Sequence, residues 1–310
     1  MLGNSRIILF IILSFTYGNA QNIEWALAEG GTNIDSGSMI YLDSEENILV
    51  TGSFYDVVDF DPGPGTFNLT SSGLADVFVQ KLDPSGQLIW AISFGSGAYE
   101  SASNVVVDSA NNILISGFFE GTVDFDPGPG STLLSSNGDQ DVFVVKLSSE
   151  GNLLWALNFG SIESDYAADM VIDSLDAIYL TGRYNNYLPT PDTRQNTTFL
   201  SDIYVTKINT TGQTLWFHVI GGPAFDYGTS IALDNTNKVL VGGRFQETVD
   251  FDPGSNTDDK TSHGGSDGFL LCFDLDGTYN WARSFGGPNR DFVWALDIND
   301  QNETILTGYF

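Results

Sequence analysis

Apolar and polar positions alternate along this chain in short runs that turn residues separate. In the run DVFVVKL, alternate residues from Val142 share one face of an extended segment, and alternate residues from Phe143 share the other. The turn SSEG then reverses the chain, and Leu153, Trp155 and Leu157 line one face of the returning strand. No window keeps a period of 3.6 residues, so the pattern predicts β-hairpins and almost no helix.

The same pattern returns with a tryptophan in its last strand, at positions 25, 90, 155, 216 and 281, so the intervals are 65, 65, 61 and 65 residues. Each unit holds two hairpins, and in the first, second and fourth copies the motif DFDPG lies between them. The third copy has NNYLPTPDT in its place. The chain is therefore a repeat array. Its full repeats span residues 37–95, 102–160, 167–221 and 228–286, and a partial copy spans 293–310.

Two hairpins per unit make a four-stranded antiparallel meander, which needs a copy of itself to bury both faces. Radial stacking of such meanders is a β-propeller, so the predicted fold class is all-β, with four-stranded blades and partial terminal units. A β-solenoid is the alternative, although its coils are parallel and shorter. Residues 22–30 are expected to supply a fourth strand and residues 293–310 a first and second strand. The third strand of a fifth blade is missing, which predicts an incomplete ring from a longer protein.

The repeated residues resemble the secreted bacterial β-propeller repeat, the SBBP type, over residues 22–310. The first copy carries nearly the whole pattern: Asp43, Asn47, Thr51-Gly52, Asp76, Phe78, Lys81-Leu82, Gly86 and Trp90. The fourth copy departs at Cys272, where the first three copies have lysine. The resemblance implies a propeller exported from a bacterium and says little about activity, because the family is defined by its scaffold.

Residues 1–20 are typical of a secretory signal peptide. Arg6 precedes the apolar run 7–15, and Gly18-Asn19-Ala20 provides a small-residue cleavage site. The apolar run is too short for a stable membrane span. We therefore expect a soluble repeat domain of residues 21–310, secreted or held at the cell surface, with no membrane span.

The charge balance bears on partners. The chain has 40 acidic and 11 basic side chains, a formal net charge of −29. Such a surface repels nucleic acid and anionic membranes and attracts divalent cations. The single cysteine, Cys272, excludes an intrachain disulfide. We interpret it as a strand residue in the lysine position, with a reactive thiol as the alternative.

The DFDPG loops are the best candidate site. Their aspartates are two residues apart in an extended segment, so each pair of carboxylates points the same way. Two convergent carboxylates with turn carbonyls suit Ca²⁺. The candidate metal ligands are Asp59, Asp61, Asp124, Asp126, Asp250 and Asp252. The alternative is structural: the second aspartate caps the Pro-Gly turn, the first guards a strand edge, and the phenylalanine between them packs on the blade.

Two further acidic sets recur with the repeat. The first precedes the first strand of each unit and the second opens the third strand. The members are Asp35, Glu100, Asp165, Asp226 and Asp291 in the first set, and Asp76, Asp141, Asp202 and Asp267 in the second. Bonds to neighbouring backbone amides explain both sets. A ring of acids that collects cations is the alternative reading of the first set.

Catalysis has little support in the sequence. The histidines are His218, expected within a sheet, and His263, in a Gly/Ser-rich turn, and no catalytic motif accompanies them. An active site normally breaks repeat symmetry, and the clear break is the third copy, with Arg183, Asp192 and Arg194. We predict a non-enzymatic binding or display scaffold for an extracellular protein or glycan, with Ca²⁺ as its one candidate cofactor. The alternative is a carbohydrate-active enzyme that uses one propeller face.

Overall fold

The computed structural model describes residues 25–185 and 200–310, and within these ranges the secondary structure is β-strand with no helix. The predicted signal peptide and most of the third-copy loop, including Asp192 and Arg194, lie outside the described residues. The strands form four antiparallel four-stranded sheets and two shorter ribbons. The predicted all-β, β-propeller-like repeat fold is confirmed.

Each full repeat forms one sheet whose long strands follow chain order. The first sheet contains β1 (Ser36–Leu42), β2 (Ile48–Asp59), β3 (Asn68–Leu82) and β4 (Leu88–Phe94). The second contains β5 (Ser101–Val107), β6 (Ile113–Asp124), β7 (Leu133–Leu147) and β8 (Leu153–Phe159). The third contains β9 (Tyr166–Ile172), β10 (Ile178–Asn185), β11 (Ser201–Ile208) and β12 (Thr214–Ile220).

The fourth repeat differs from the first two in its middle hairpin. Its sheet contains β13 (Tyr227–Leu233), β14 (Lys238–Phe245), β17 (Asp267–Asp274) and β18 (Tyr279–Phe285). A separate two-stranded ribbon contains β15 (Thr248–Asp250) and β16 (Asp259–Thr261). The partial fifth copy supplies the ribbon of β19 (Phe292–Ile298) and β20 (Thr304–Tyr309).

Much of the segment that the sequence indicates as a DFDPG loop is strand. β2 continues to Asp59 and β3 begins at Asn68, so the motif lies at the tip of an extended hairpin. A register shift between Tyr55 and Val57 marks where this extension begins. The extra residues of the repeat therefore lengthen the hairpin between the second and third strands.

The chain divides into two compact units, each with its own core. Among the described residues, the first unit comprises 25–115, 119–134 and 146–154, and the second comprises 116–118, 135–145, 155–185 and 200–310. In the first unit, one cluster joins Ile48, Val50, Phe54, Phe60 and Phe78 with Trp25 and Leu27 at its margin. In the second, a cluster runs through Tyr179, Val205, Val241, Phe251 and Phe269.

The phenylalanine of the DFDPG motif packs into the core, as predicted. Phe60 is 2% exposed and its ring meets Phe54 edge-on at 5.3 Å. The second and fourth copies repeat this contact, between Phe119 and Phe125 at 5.3 Å and between Phe245 and Phe251 at 5.2 Å. The motif therefore fastens the hairpin extension to its own blade.

The glycine of the Thr-Gly pair is fixed by close packing. A Cβ at Gly52 would collide with the Ser36 carbonyl, where β1 has a bulge, and with the Phe78 ring. Gly182 has the same neighbours in the third repeat, Tyr166 and Tyr204. The preceding threonine hydroxyl, in Thr51, donates a 2.7 Å hydrogen bond to the Phe78 carbonyl.

The N-terminal segment departs from the prediction. Residues 25–30 are not a strand, because the ladder hydrogen bonds that define one are not made by these described residues. Trp25 and Leu27 instead contact the turn at Gly86 and pack on the first core cluster. The first strand of the first repeat is also unusual, since all of β1 is exposed.

Candidate functional site

The acidic residue before each first strand accepts backbone hydrogen bonds. Asp226 accepts from Gly222 N at 2.8 Å with one oxygen and from Gln246 N at 2.9 Å with the other. Asp165 accepts from Ser161 N at 2.5 Å and Asn185 N at 2.6 Å. The corresponding oxygens of Asp35, Glu100 and Asp291 also accept an amide four residues upstream. The predicted backbone role is confirmed.

Burial makes two of these carboxyl groups weaker acids than an ordinary aspartate. Burial raises the pKa of Asp165 to about 7 and that of Asp226 to about 7, although the backbone donors act in the opposite direction. Burial also raises the pKa of Glu100. What all five acids share is the amide four residues upstream, which is the signature of a structural role.

The second acidic set explains a further repeated glycine. Asp76 accepts from Ser72 N at 3.1 Å, and Asp141 accepts from Asn137 N at 3.1 Å. A Cβ at the glycine closing the fourth strand would collide with this aspartate, as at Gly95 in the first repeat and Gly160 in the second. The aspartate at the start of the third strand and the glycine at the end of the fourth strand therefore pack directly against each other, and this contact closes the second hairpin.

The DFDPG aspartates are bound to the backbone of their own loop. Asp59 Oδ1 accepts from Asp61 N at 3.0 Å and from Phe67 N at 2.7 Å. These amides hold the pKa of Asp59 below its ordinary value. Asp61 Oδ1 accepts from Gly63 N at 2.8 Å, which is the predicted cap on the Pro-Gly turn.

The other two DFDPG loops repeat this geometry. The first aspartate, Asp124 or Asp250, accepts the amides two and eight residues downstream, and the second, Asp126 or Asp252, accepts the amide two residues downstream. Across residues 25–185 and 200–310, no group of three or more His, Cys, Asp or Glu side chains is arranged to hold a metal ion. Calcium binding by these loops stays a prediction.

The recurrent tryptophan bonds each repeat to the next. The indole N–H of Trp90 donates to the Ser149 carbonyl at 3.2 Å, that of Trp155 to Thr210 at 3.0 Å and that of Trp216 to Leu275 at 3.1 Å. Each acceptor lies in the second hairpin turn of the following repeat. The indoles are only partly buried, because the ring lies on that turn rather than inside a blade.

The lysine of the repeat shares this junction. Lys81 and Trp90 are cross-strand partners, and Lys81 Nζ lies 2.9 Å from Asp43 Oδ2 and 3.4 Å from the Ser149 carbonyl. Burial acts to raise the pKa of Asp43, but hydrogen bonds from Lys81 and Asn47 outweigh it and hold the pKa below its ordinary value. The second repeat has the same pair, Lys146–Asp108 at 2.7 Å.

The fourth repeat replaces this lysine with an apolar contact. Cys272 is buried with Leu240, Leu270 and Leu296, opposite Trp281. Burial raises the pKa of its thiol to about 11, so the thiol stays protonated at neutral pH. The interpretation of Cys272 as a strand residue in the lysine position fits these contacts.

The two histidines have structural surroundings. His218 lies within β12 and stacks between the rings of Trp216 and Phe273, at 5.2 Å and 5.4 Å. Its Nε2 lies 2.9 Å from the Gly277 carbonyl, and burial lowers its pKa. His263 lies in an exposed turn, with Nδ1 3.0 Å from Asp267 Oδ2.

The second unit carries an arrangement that the repeat pattern does not contain. Tyr166 and Arg183 are cross-strand partners at the ends of β9 and β10, and Tyr227 and Arg244 are the equivalent pair in the next repeat. The Arg183 guanidinium lies 3.7 Å from the centre of the Tyr166 ring and 5.6 Å from that of Tyr227. Arg244 lies 4.4 Å from the Tyr227 ring. We call these four residues the arginine–tyrosine ladder.

Sequence reasoning singled out Arg183 as a break in symmetry but missed the ladder. The available signal was the residue after each Thr-Gly or Gly-Gly pair, which is serine in the first copy and arginine in the third and fourth. Each ladder tyrosine also packs against a further aromatic side chain. Phe118 packs 4.9 Å from Tyr166, and Phe225 lies 6.2 Å from Tyr227.

Comparisons with known proteins give partial likenesses. No family model matches the chain. An uncharacterized WD repeat-containing protein of Acanthamoeba polyphaga mimivirus is 31% identical over 156 residues, covering 47% of this chain and 11% of that protein. The regulatory protein FlaEY of Caulobacter vibrioides is 26% identical over 306 residues, covering 92% of this chain and 31% of that protein. The chain thus spans less than a third of either relative.

Among solved structures, the chain is similar to a glucose dehydrogenase. The identity is 9% and the TM-score 0.37, with 89% of this chain and 96% of that chain covered. A likeness this distant carries no argument about the chemistry of this protein. In the part of the chain that the structure describes, no helix is long and apolar enough to cross a membrane.

Proposed function

We propose that this chain is a non-enzymatic binding scaffold built from exported propeller repeats of the secreted bacterial type. One observation carries the proposal: the residues that recur from copy to copy are occupied in structural hydrogen bonds, either within their own repeat or to the next one. The tryptophan donates to the next repeat, and the repeated carboxylates accept backbone amides. The positions that differ between copies are therefore the ones free to recognise a ligand.

Similarity to a WD repeat-containing protein supports the scaffold reading, because WD repeats are propeller blades. The binding surface we propose is the row of non-repeated residues that contains the ladder. Its cross-strand positions are partly exposed and lie at the ends of their strands. Export by residues 1–20 and stabilisation by Ca²⁺ belong to the same proposal.

The carbohydrate-active enzyme is the rival function. Glycosidases use two carboxyl groups held in different environments at one centre. The repeated acids here have matching hydrogen-bond partners from copy to copy, which favours the scaffold. Asp165 and Asp226, with pKa values of about 7, are the groups that an enzyme hypothesis has to use as general acids.

One experiment separates the two functions. The purified protein is incubated with a panel of neutral and acidic polysaccharides, and both binding and the release of reducing ends are measured. The scaffold predicts saturable binding with no release above a heat-denatured control. Release of reducing ends that disappears in Asp165→Asn or Asp226→Asn would establish the enzyme instead. Fusion of residues 1–20 to a periplasmic reporter tests export separately.

A further inference from the structure

We propose that the arginine–tyrosine ladder binds an acidic polysaccharide through its carboxylate groups. The inference rests on the proposed scaffold function and adds the ligand class. It starts from the distribution of positive charge. Every lysine of the chain is paired with an aspartate: Lys81 with Asp43, Lys146 with Asp108, Lys207 with Asp173, Lys238 with Asp274 and Lys260 with Asp258.

The ladder arginines lack such partners. Within residues 25–185 and 200–310, neither Arg183 nor Arg244 has a carboxylate oxygen within 4.0 Å of its guanidinium nitrogens. Arg244 is close enough to Asp226 to lower the pKa of that carboxyl, but both Asp226 oxygens accept backbone amides. In a chain of net charge −29, the ladder therefore places two arginines without an ion pair in consecutive repeats, both against the Tyr227 ring.

The tyrosine rings orient these cations for recognition. A guanidinium that lies over an aromatic ring is held through its face, and its N–H groups point outward in the guanidinium plane. Those donors form the fork that matches a carboxylate. Tyr227 contacts both arginines, so the two forks are held one repeat apart on one surface. This arrangement suits a polymer that presents anions at intervals, rather than a single small ion.

Exposed aromatic side chains beside the ladder favour a sugar polymer. Phe225 is 41% exposed next to Tyr227. In the next copy, Trp294 is 67% exposed and packs 5.3 Å from Phe292, which is the counterpart of Tyr166 and Tyr227. Flat aromatic platforms hold the apolar faces of sugar rings, whereas an acidic peptide has no such rings to place on them. Polyuronates combine both features.

Titration calorimetry with polygalacturonate and a neutral galactan of similar length tests the proposal. We expect the wild type to prefer polygalacturonate, and R183Q/R244Q to lose at least about 10-fold in affinity, since each charge-assisted bond lost is worth roughly that factor. The matched control compares the single variants R244Q and R283Q, which each remove one positive charge. Arg283 lies on β18 rather than in the ladder, so R283Q should change affinity less than about 2-fold. R183K/R244K keeps the charge but loses the planar fork, so it should also bind weakly.

Several results would overturn the inference. These are equal losses in the ladder and control variants, no preference of the wild type for the acidic polymer, or equally tight binding of polyglutamate, which would indicate a protein ligand. Binding of a neutral polymer alone would refute the ladder proposal and leave the scaffold intact, whereas release of reducing ends would refute the scaffold. Thermal melting of each variant checks that it is folded. If the double variant melts at a lower temperature than the wild type, the single variant Arg244→Gln is used in its place.

Discussion

At the scale of single residues, the turn glycine of each second hairpin meets two requirements at once. Gly86, Gly151, Gly212 and Gly277 have φ between +83° and +86°, a region that L side chains rarely adopt. The indole from the preceding repeat also lies on the same glycine, and a Cβ at Gly212 would come within 3.1 Å of the Trp155 ring. Any side chain at this position is therefore disfavoured twice, by the positive φ of the backbone and by the indole that packs on it.

We expect Gly212→Ala to lower the free energy of unfolding by about 1–2 kcal/mol, because strain at positive φ adds to the displaced indole. Urea unfolding measured by tryptophan fluorescence gives this value. The matched control is Gly97→Ala, where an added Cβ meets nothing within 4 Å. Equal stability of the two variants would show that the indole–glycine contact contributes nothing.

The buried aspartates give stability a pH dependence. The pKa values of Asp165 and Asp226 are raised by burial to about 7, above the ordinary value of 3.8, so the folded protein binds the extra protons. This contribution is fully present below pH 3.8 and is lost as pH rises through about 7. Each group adds a slope of at most about 1.4 kcal/mol per pH unit.

The prediction is that stability falls between pH 5 and pH 8, and that Asp226→Asn makes this fall shallower. The asparagine cannot accept both backbone amides, so the variant starts less stable at pH 5, and the slope rather than the starting value is the readout. Chemical denaturation at several pH values measures it. Asp43, whose pKa lies below its ordinary value, is a suitable control because it titrates outside this window. An unchanged slope in Asp226→Asn would refute the assignment.

At the scale of elements, the extended hairpin that carries DFDPG is held by its own aspartates. The calcium hypothesis predicts that millimolar Ca²⁺ raises the melting temperature by several degrees over chelator, through binding to the folded state. Replacement of Asp59, Asp124 and Asp250 by alanine should abolish that shift. Differential scanning calorimetry measures both.

A wild type that melts at the same temperature with Ca²⁺ and with chelator would leave these aspartates with the turn-capping role alone. In that case the triple variant should still melt lower than wild type, because each substitution removes an acceptor of two backbone amides. A control substitution in the loop has to leave the aspartates' hydrogen bonds in place. Thr66→Ala does so, whereas Ser131→Ala removes a side-chain hydrogen bond to Asp124.

The sequence predicted the four-stranded units and the packing of Phe60, because alternation and repetition report directly on which residues are buried. It did not predict that the DFDPG segment is largely strand. The first half of β3, from Asn68 to Gly73, is mostly polar and exposed, so it has no apolar face for a period of two to reveal.

The ladder was beyond sequence reasoning for a different reason. Tyr166 meets Arg183 through strand register, and Arg183 meets Tyr227 through the contact of one repeat with the next. Neither relation is visible in residue spacing before the fold is known. The visible signal was only that arginine departs from the serine of the first copy.

At the scale of the whole molecule, equivalent positions in different repeats have different exposure. Ile40 in β1 is 41% exposed, whereas its counterparts Val105, Met170 and Ile231 are 1%, 2% and 2% exposed. Within the second unit, the preceding repeat covers this position, as β13 covers β19 at Leu296. The leading face of the first repeat is thus an apolar surface shaped for another repeat.

We expect a protein of residues 21–310 to self-associate through this face, since a contiguous apolar surface and strand edge promote association. Sedimentation velocity over a range of concentrations should show this, and Ile40→Glu should shift the protein toward monomer. Ile89→Glu is the control, because Ile89 is 48% exposed but lies on a different strand, β4. A monomeric wild type at all concentrations would contradict the expectation.

The indole bond between successive repeats has a consequence for how such chains change over evolutionary time. Every unit brings its own donor, the tryptophan, and its own acceptor, a carbonyl in the second hairpin turn. Unequal recombination that inserts or deletes one whole unit therefore leaves every remaining junction chemically complete. Genes of this kind can gain or lose units without a compensating mutation elsewhere, while residues outside the junctions, such as those of the ladder, diverge from unit to unit.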